Sequence, residues 1–491
     1  MSDDDHAGHG HEILKDVLKI LEEYECFDVT SDQPIVRFVH PDQLVKDFPS
    51  NLDEEGVPQN EVKRIASLIV QYSVRTFSPH FHNQLYAGID IYGLAGAWLT
   101  EALNTSQYTY EVAPVFTLLE REIIKRSLEL VGYPALPEAD GLLAPGGSMS
   151  NMYGIVLARY KRFPEIKTKG MSVVPPLAIF TSEDGHYSMT KGAHWLGIGT
   201  DNVYKIRVNE LGQMDVDDLK EKIHQARNKG CEPFFVNATA GSTVLAAFDP
   251  IDKIADVCEE HDIWLHVDGC LGGTLLLSHQ YRNRLKGVER SNSISWNPHK
   301  MLGAPFQCSI FLTKGTNALH EANCANAKYL FQQDKFYDVS WDTGDKSVQC
   351  GRKPDALKFW LMWKARGTAG LRKSVDIAMD CANYFYEQIK DRPDFRLVLP
   401  EYEGSNICFW YIPPSMQGQE ENEEWKNKLN RIAPTIKEKL IKVGSLMIGY
   451  TPLPSKNMPN FFRMVVSCQP PPNHSSMDFV INNIVEHGCK L

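Results

Sequence analysis

At 491 residues the chain is too long for one simple core, and its makeup, 43% hydrophobic and 23% charged, is that of an ordinary globular enzyme. A formal net charge of −11 argues against a nucleic-acid partner, because phosphate binding needs clustered Lys and Arg. No apolar run is long enough to span a membrane, the amino-terminal residues lack the blocks of a signal peptide, and the 11 scattered cysteines include no C-x-x-C pair, so a cytoplasmic location is expected.

Residues 1 to about 12 read as a disordered tail, in which His6, His9 and His11 have no Cys or carboxylate spaced to complete a metal site. Apolar residues at helical spacing predict an amphipathic helix over 13–23, and Pro34, Pro41 and Pro58 suggest an irregular arm after it. From about Gly93 to Gly370, apolar strands alternate with amphipathic helices. The strands are expected at 177–180, 233–239, 263–268, 293–296 and 308–313, and the helices at 151–163, 216–229 and 251–261. Such alternation predicts an α/β fold, a mostly parallel sheet with helices on both faces. After Leu371, a helix at 374–390 leads into further strands and helices, which reads as a smaller α+β domain.

Four short signals fall at strand ends of this one sheet. Asn297-Pro298-His299-Lys300 follows the strand Ser293–Trp296, and a free ammonium at a buried strand end is costly unless it condenses with an aldehyde cofactor. Asp268 closes the strand IWLHVD, where a carboxylate faces the ligand crevice and can hold a pyridinium nitrogen protonated. The Gly146-Gly147-Ser148-Met149-Ser150 turn opens a helix whose N–H groups suit a phosphate. His186 follows LAIFTS and can stack on a flat ring. Singly, each has a bland counterpart: a loop lysine, a helix cap, a structural turn, a structural histidine. Together, in one consistent order, they point to one site.

With these motifs in view, the chain resembles the group II, pyridoxal-phosphate (PLP)-dependent amino acid decarboxylases from about residue 60 to its end. It is closest to the acidic branch through FHNQLYAGIDIYGLAG (81–96), NTSQYTYEVAPVF (104–116), LFQQDKFYDVSWDTGDKSVQCGR (330–352) and NFFRMVV (460–466). HVDGCLGG (266–273) and NPHKMLGAPFQCS (297–309) are similar to the insect-type aspartate and cysteine sulfinate decarboxylases. The resemblance implies the type I PLP-dependent transferase fold and a homodimer with active sites at the interface. It implies an arm over 1–92, a large PLP-binding domain over 93–370 with a mobile loop at 331–346, and a small domain over 371–491.

Position by position, the resemblance makes Lys300 the lysine that binds the cofactor aldehyde, Asp268 the ring-nitrogen partner and His186 the stacking residue. Thr243 brings a hydroxyl near the ring. Ser148, Met149 and Ser150 form the phosphate turn, with Asn297 and His299 close by. Tyr337 is the loop tyrosine that reaches the partner's site and returns a proton to Cα. Arg463, with Gln84 beside it, receives the distal acid of the substrate. Cys270, where most relatives have a small residue, is expected against the ring face opposite His186, and Pro305 reshapes the stretch after Lys300.

Tyr86 stands where glutamate decarboxylases carry a small residue and is expected to shorten the pocket. Aspartate and cysteine sulfinate are therefore the expected substrates, giving β-alanine and hypotaurine, with glutamate the alternative. A methylene discriminates by only about 1–3 kcal/mol. An aldehyde synthase on the same fold is disfavoured by the retained His186-Tyr187-Ser188, an aromatic decarboxylase by Arg463, and a non-catalytic interaction protein by the filled catalytic positions.

Overall fold

The computed structural model describes residues 5–30 and 32–491, without the side chains of residues 5–11, so the reading of His6, His9 and His11 lies outside it. The first helix runs Asp5–Glu23, beginning well before Ile13 and so taking in most of the stretch read as a tail. The arm is also less irregular than its prolines suggest: Pro41 sits at the first position of a helix, Pro41–Asp47, and Pro58 immediately precedes another, Gln59–Tyr72. Proline opened these helices instead of breaking them.

In chain order the strands are β1 (Phe81–His82), β2 (Ala139–Ala144), β3 (Leu177–Ser182), β4 (Val203–Ile206), β5 (Glu232–Thr239), β6 (Trp264–Gly269), β7 (Ser293–Trp296), β8 (Ser309–Lys314), β9 (Phe395–Leu397), β10 (Asn406–Tyr411), β11 (Met447–Leu453) and β12 (Met458–Val465). Seven of them form one sheet in the order β2-β8-β7-β6-β5-β3-β4. The pairings are parallel except on the two sides of β8, which runs against both β7 and β2. Strands β3, β5 and β7 are buried nearly throughout, as expected for a sheet covered on both faces.

The other five strands make a second sheet, β1-β11-β12-β10-β9. Its edge strand β1 comes from the amino-terminal arm and pairs in parallel with Met447 and Ile448 of β11. The chain passes between the sheets through the long helix Ala356–Ile389, whose one non-helical residue is Gly367 at φ 64°, ψ 168°. A left-handed φ is cheapest for glycine, so the bend falls there. One continuous apolar core runs from Leu85 to Ile484 and joins the faces of both sheets.

Candidate active site

The parallel register brings the carboxyl ends of the central strands to one edge. Thr239 lies opposite Asp268, and Asp268 opposite Ser295. The segments that follow these ends carry His186 after β3, Thr243 after β5, Asp268 itself at the end of β6, and Lys300 after β7. In an open α/β sheet that edge is where ligands bind.

The turn after β2 completes the group. Gly146, at φ 100°, caps the helix Gly147–Arg162, whose first turn contains Ser148, Met149 and Ser150. The free N–H groups of that turn suit an anion. Ser150 is fully buried, and its hydroxyl donates back to the Gly146 carbonyl at 3.3 Å. Gly147 is a place of close approach: a Cβ there would stand 2.6 Å from both Asn297 Nδ2 and Cys270 Sγ. The turn, Cys270 and Asn297 are therefore packed together, and Asn297 Oδ1 is buried with no partner among the described residues.

Asp268 is 5% exposed, and each of its oxygens is held. Oδ1 accepts from the Cys270 backbone N–H at 3.1 Å and Oδ2 from Asn151 Nδ2 at 2.9 Å. Burial pulls its pKa upward, but the charges of Lys300 and His186 and these hydrogen bonds outweigh burial and hold it below the usual carboxylate value. Lys300 is half-buried, and its ammonium has no hydrogen-bond or ion-pair partner among the described residues. Burial, then the Lys300 charge, lowers the pKa of His186 against the pull of Asp268, while its Nδ1 accepts from the Ser188 N–H at 3.2 Å. His299 is buried with its Nδ1 2.6 Å from the Cys308 carbonyl, and burial lowers its pKa to about 4. Burial and the nearby Asp268 raise the Cys270 thiol well above its ordinary value, so it stays protonated.

A second cluster sits where the arm, the turn after β5 and β12 meet. Arg463 donates from Nη1 to the Thr243 carbonyl and from Nη2 to the Asn83 carbonyl, each at 3.1 Å. Its Nε is buried without a partner, and no carboxylate pairs with it among the described residues. Burial lowers its pKa, but it remains a cation. Gln84 and Tyr86 are exposed in the single chain, and Tyr86 packs on Phe306 with ring centroids 5.2 Å apart. The turn after Lys300 touches this region too: Asp90 N–H donates to the Gly303 carbonyl, and Cys468 N–H to that of Met301.

Tyr337 lies apart from both clusters. Its hydroxyl donates to Asp342 Oδ1 at 2.9 Å and accepts from Lys335 Nζ at 3.1 Å, and its ring lies 5.4 Å from Tyr110. None of these partners belongs to the Lys300 cluster, so one chain does not bring Tyr337 to its own Lys300. Asn151, Ser188 and His266, to which the motifs gave no role of their own, join Asp268 in one side-chain hydrogen-bond network, and the Ser188 backbone N–H ties it to His186.

An aldehyde that needs an unpaired lysine, a cationic ring nitrogen that needs a buried carboxylate, and a phosphate that needs a glycine turn would all be met at this edge. Residues 41–412 match the pyridoxal-dependent decarboxylase conserved domain, and the chain belongs to that family of PLP-dependent enzymes, with the type I fold. It is 47% identical to the acidic amino acid decarboxylase GADL1 of Xenopus tropicalis, over 99% of this chain and 94% of that one. It is likewise 47% identical to human cysteine sulfinic acid decarboxylase, over 94% of this chain and 92% of the other. The crystal structure of mouse CSAD superposes with a TM-score of 0.94 at 44% identity, covering 98% of this chain and 99% of that one.

The residues present fit the cofactor. Asp268 is held ionised without a cationic hydrogen-bond partner, Lys300 is unpaired, and the orphaned Asn297 Oδ1 lies against the glycine turn.

Proposed function

We propose that this enzyme removes the α-carboxylate from a short acidic amino acid, L-cysteine sulfinate to hypotaurine and L-aspartate to β-alanine. The observation that carries the reading is Arg463, a partly buried guanidinium whose Nε is buried and orphaned, with no carboxylate paired to it among the described residues, beside the 83–86 segment. A planar fork of donors suits a carboxylate or sulfinate. The names of the relatives, an acidic amino acid decarboxylase and a cysteine sulfinic acid decarboxylase, support the same class.

When bound, pyridoxal phosphate supplies an aldehyde that captures the substrate amine and a protonated ring that accepts the electron pair freed as carbon dioxide leaves. Lys300 would hold the aldehyde, Asp268 would keep the ring nitrogen charged, and His186 and Cys270 would lie at the ring. Ser148, Met149, Ser150, Asn297 and His299 would hold the phosphate end, and Thr243 would bring a hydroxyl toward the ring. Arg463 fixes the distal acid, with Gln84 beside it and Tyr86 limiting its length. Tyr337 returns the proton to Cα. Its pKa is raised, by burial first and by Asp342 against Lys335, so the phenol keeps its proton for donation.

The enzyme works as a homodimer in this reading, because Tyr337 needs a partner's site. Exposed Tyr92, Trp98, Leu99 and Leu103 on the helix Ile91–Leu103 support such an interface. The segments 93–370 and 371–491 act as the cofactor-binding and small domains, served by the arm 1–92. A cytoplasmic location is consistent with there being no helix, among the described residues, long and apolar enough to cross a membrane.

The test is competition among cysteine sulfinate, aspartate and glutamate, with the amine products quantified. Preference for the two shorter acids is expected. Glutamate as the best substrate would overturn the role of Tyr86, and release of carbon dioxide from none of the three would overturn the substrate class.

A further inference from the structure

We propose that His266 is a positioning residue that acts on Asp268 through the Asn151 amide, fixing how Asp268 meets the cofactor's ring nitrogen. The inference rests on the reading of Asp268 as the ring-nitrogen partner and extends it two residues deeper into the sheet.

The side chains form an unbroken chain. Trp264 Nε1 lies 2.9 Å from Ser293 Oγ, which lies 2.8 Å from His266 Nδ1. His266 Nε2 lies 3.0 Å from Asn151 Oδ1, and Asn151 Nδ2 lies 2.9 Å from Asp268 Oδ2 and from Ser188 Oγ. The direction of every hydrogen bond follows from its ends. An ionised carboxylate only accepts, so the amide NH2 of Asn151 faces Asp268 and its oxygen faces His266. Nε2 of His266 must then carry the proton, and Nδ1 must accept from the Ser293 hydroxyl. That hydroxyl in turn accepts from the Trp264 indole, which only donates. One donor-only group and one acceptor-only group terminate the chain, and each link between them has a single orientation.

The surroundings hold the imidazole in its neutral form and in place. His266 is completely buried between the rings of Phe235 and Phe311, whose centroids lie 5.7 and 6.2 Å away. Burial lowers its pKa to about 4 against the pull of Asp268, so near neutral pH it has one N–H to give. Ser295 Oγ, at 3.3 Å from Nε2, is the longer alternative. Gly154 lets the helix bearing Asn151 come down on the ring: a Cβ at that position would stand 2.8 Å from His266 Nδ1. Without the His266 N–H, the Asn151 amide loses what holds its oxygen away from Asp268, and a flipped amide would turn a lone pair onto the carboxylate.

The experiment titrates the apoprotein with pyridoxal phosphate and with an analogue whose ring nitrogen is replaced by carbon, reading dissociation constants by fluorescence and folding by thermal melting. His266→Phe and Asn151→Leu are expected to weaken binding of pyridoxal phosphate about tenfold more than binding of the analogue, the scale of one hydrogen bond to a charged group. His266→Gln, which keeps an amide donor toward Asn151, is expected to recover most of the difference. Should His266→Phe fail to fold, Asn151→Leu carries the test. Equal weakening of both ligands, or of neither, would make His266 a packing residue only and overturn the inference. Asp268→Asn separates the two claims. If Asp268→Asn discriminates between the ligands while the other two variants do not, only the inference about His266 falls. If Asp268→Asn does not discriminate, the reading of Asp268 falls with it.

Discussion

The two halves of the site treat hydrogen-bonding capacity differently. Around Asp268 both carboxylate oxygens, the Asn151 amide and both nitrogens of His266 have protein partners before any ligand arrives. Around Arg463 two donors rest on backbone carbonyls, one is orphaned, and no counter-charge is present among the described residues. An unmet donor in a buried place costs free energy, so it persists where something else is selected for. In the proposed function, the Asp268 side is prewired for a resident cofactor, whereas the Arg463 side keeps capacity in reserve for a substrate that comes and goes.

Substitutions on the two sides should therefore separate in what they change. The largest effect is expected from Lys300→Ala: activity falls by roughly a thousandfold or more, and the visible absorption band of the reconstituted protein disappears. Retention of that band would break the assignment. Tyr337→Phe belongs to neither half, and should lower kcat by about a hundredfold or more while leaving KM and cofactor affinity near wild type. A change confined to KM would remove it from proton transfer. Arg463→Lys keeps the charge but loses the fork; KM for cysteine sulfinate should rise about tenfold or more with cofactor affinity unchanged, and a matched loss of cofactor affinity would erase the distinction between the halves. Tyr86→Ala should shift the ratio of kcat/KM toward glutamate by about tenfold.

A further effect, independent of the two halves, concerns acid stability. His82, His266 and His299 have pKa values lowered to about 4 by burial, below the value of an exposed histidine. The unfolded chain therefore binds more protons than the folded one, and the stability these groups contribute above pH ~6.5 is lost as pH falls toward 4. Unfolding in that window should take up about three protons through these residues, and His82→Gln should remove about one of them. Proton uptake measured from the pH dependence of the unfolding free energy checks this.

Much of the frame was readable in one dimension. The apolar runs at 177–180, 233–239 and 293–296 are strands because β-branched and aromatic residues stand in short blocks, and Lys300 and Asp268 follow such blocks directly. The edge strands escaped notice for physical reasons. Val203–Ile206 is partly exposed and carries a lysine, and Ala139–Ala144 contains Asp and Gly, so neither presents a clear apolar run. The helix expected from 374 is the second half of Ala356–Ile389, whose first half is rich in aromatic residues and hides its period.

Inside the site, legibility ended where contacts become long-range. Asn151 meets Asp268 across 117 positions, and Arg463 meets Asn83 across 380, distances over which no spacing rule operates. Tyr337 illustrates the converse, since its motif is readable but one chain leaves it hydrogen-bonded to its own loop.

Strand β1 couples the first part of the chain to the last. Phe81 and His82 pair with Met447 and Ile448, the Ile35 N–H donates to the Gly444 carbonyl, and the Met447 N–H donates to the carbonyl of His80. On the ribosome the early partners emerge first and must wait for the late ones. At about 5–20 residues per second that interval is on the order of half a minute. Throughout it the small apolar cluster of Ile35, Phe81 and Ala87, packed with Val36 and Val74, lacks the Met447 side chain that completes it. A truncation that stops short of β11 would therefore leave the arm its contacts with Gly303, Phe306 and Arg366 but remove the strand that β1 pairs with.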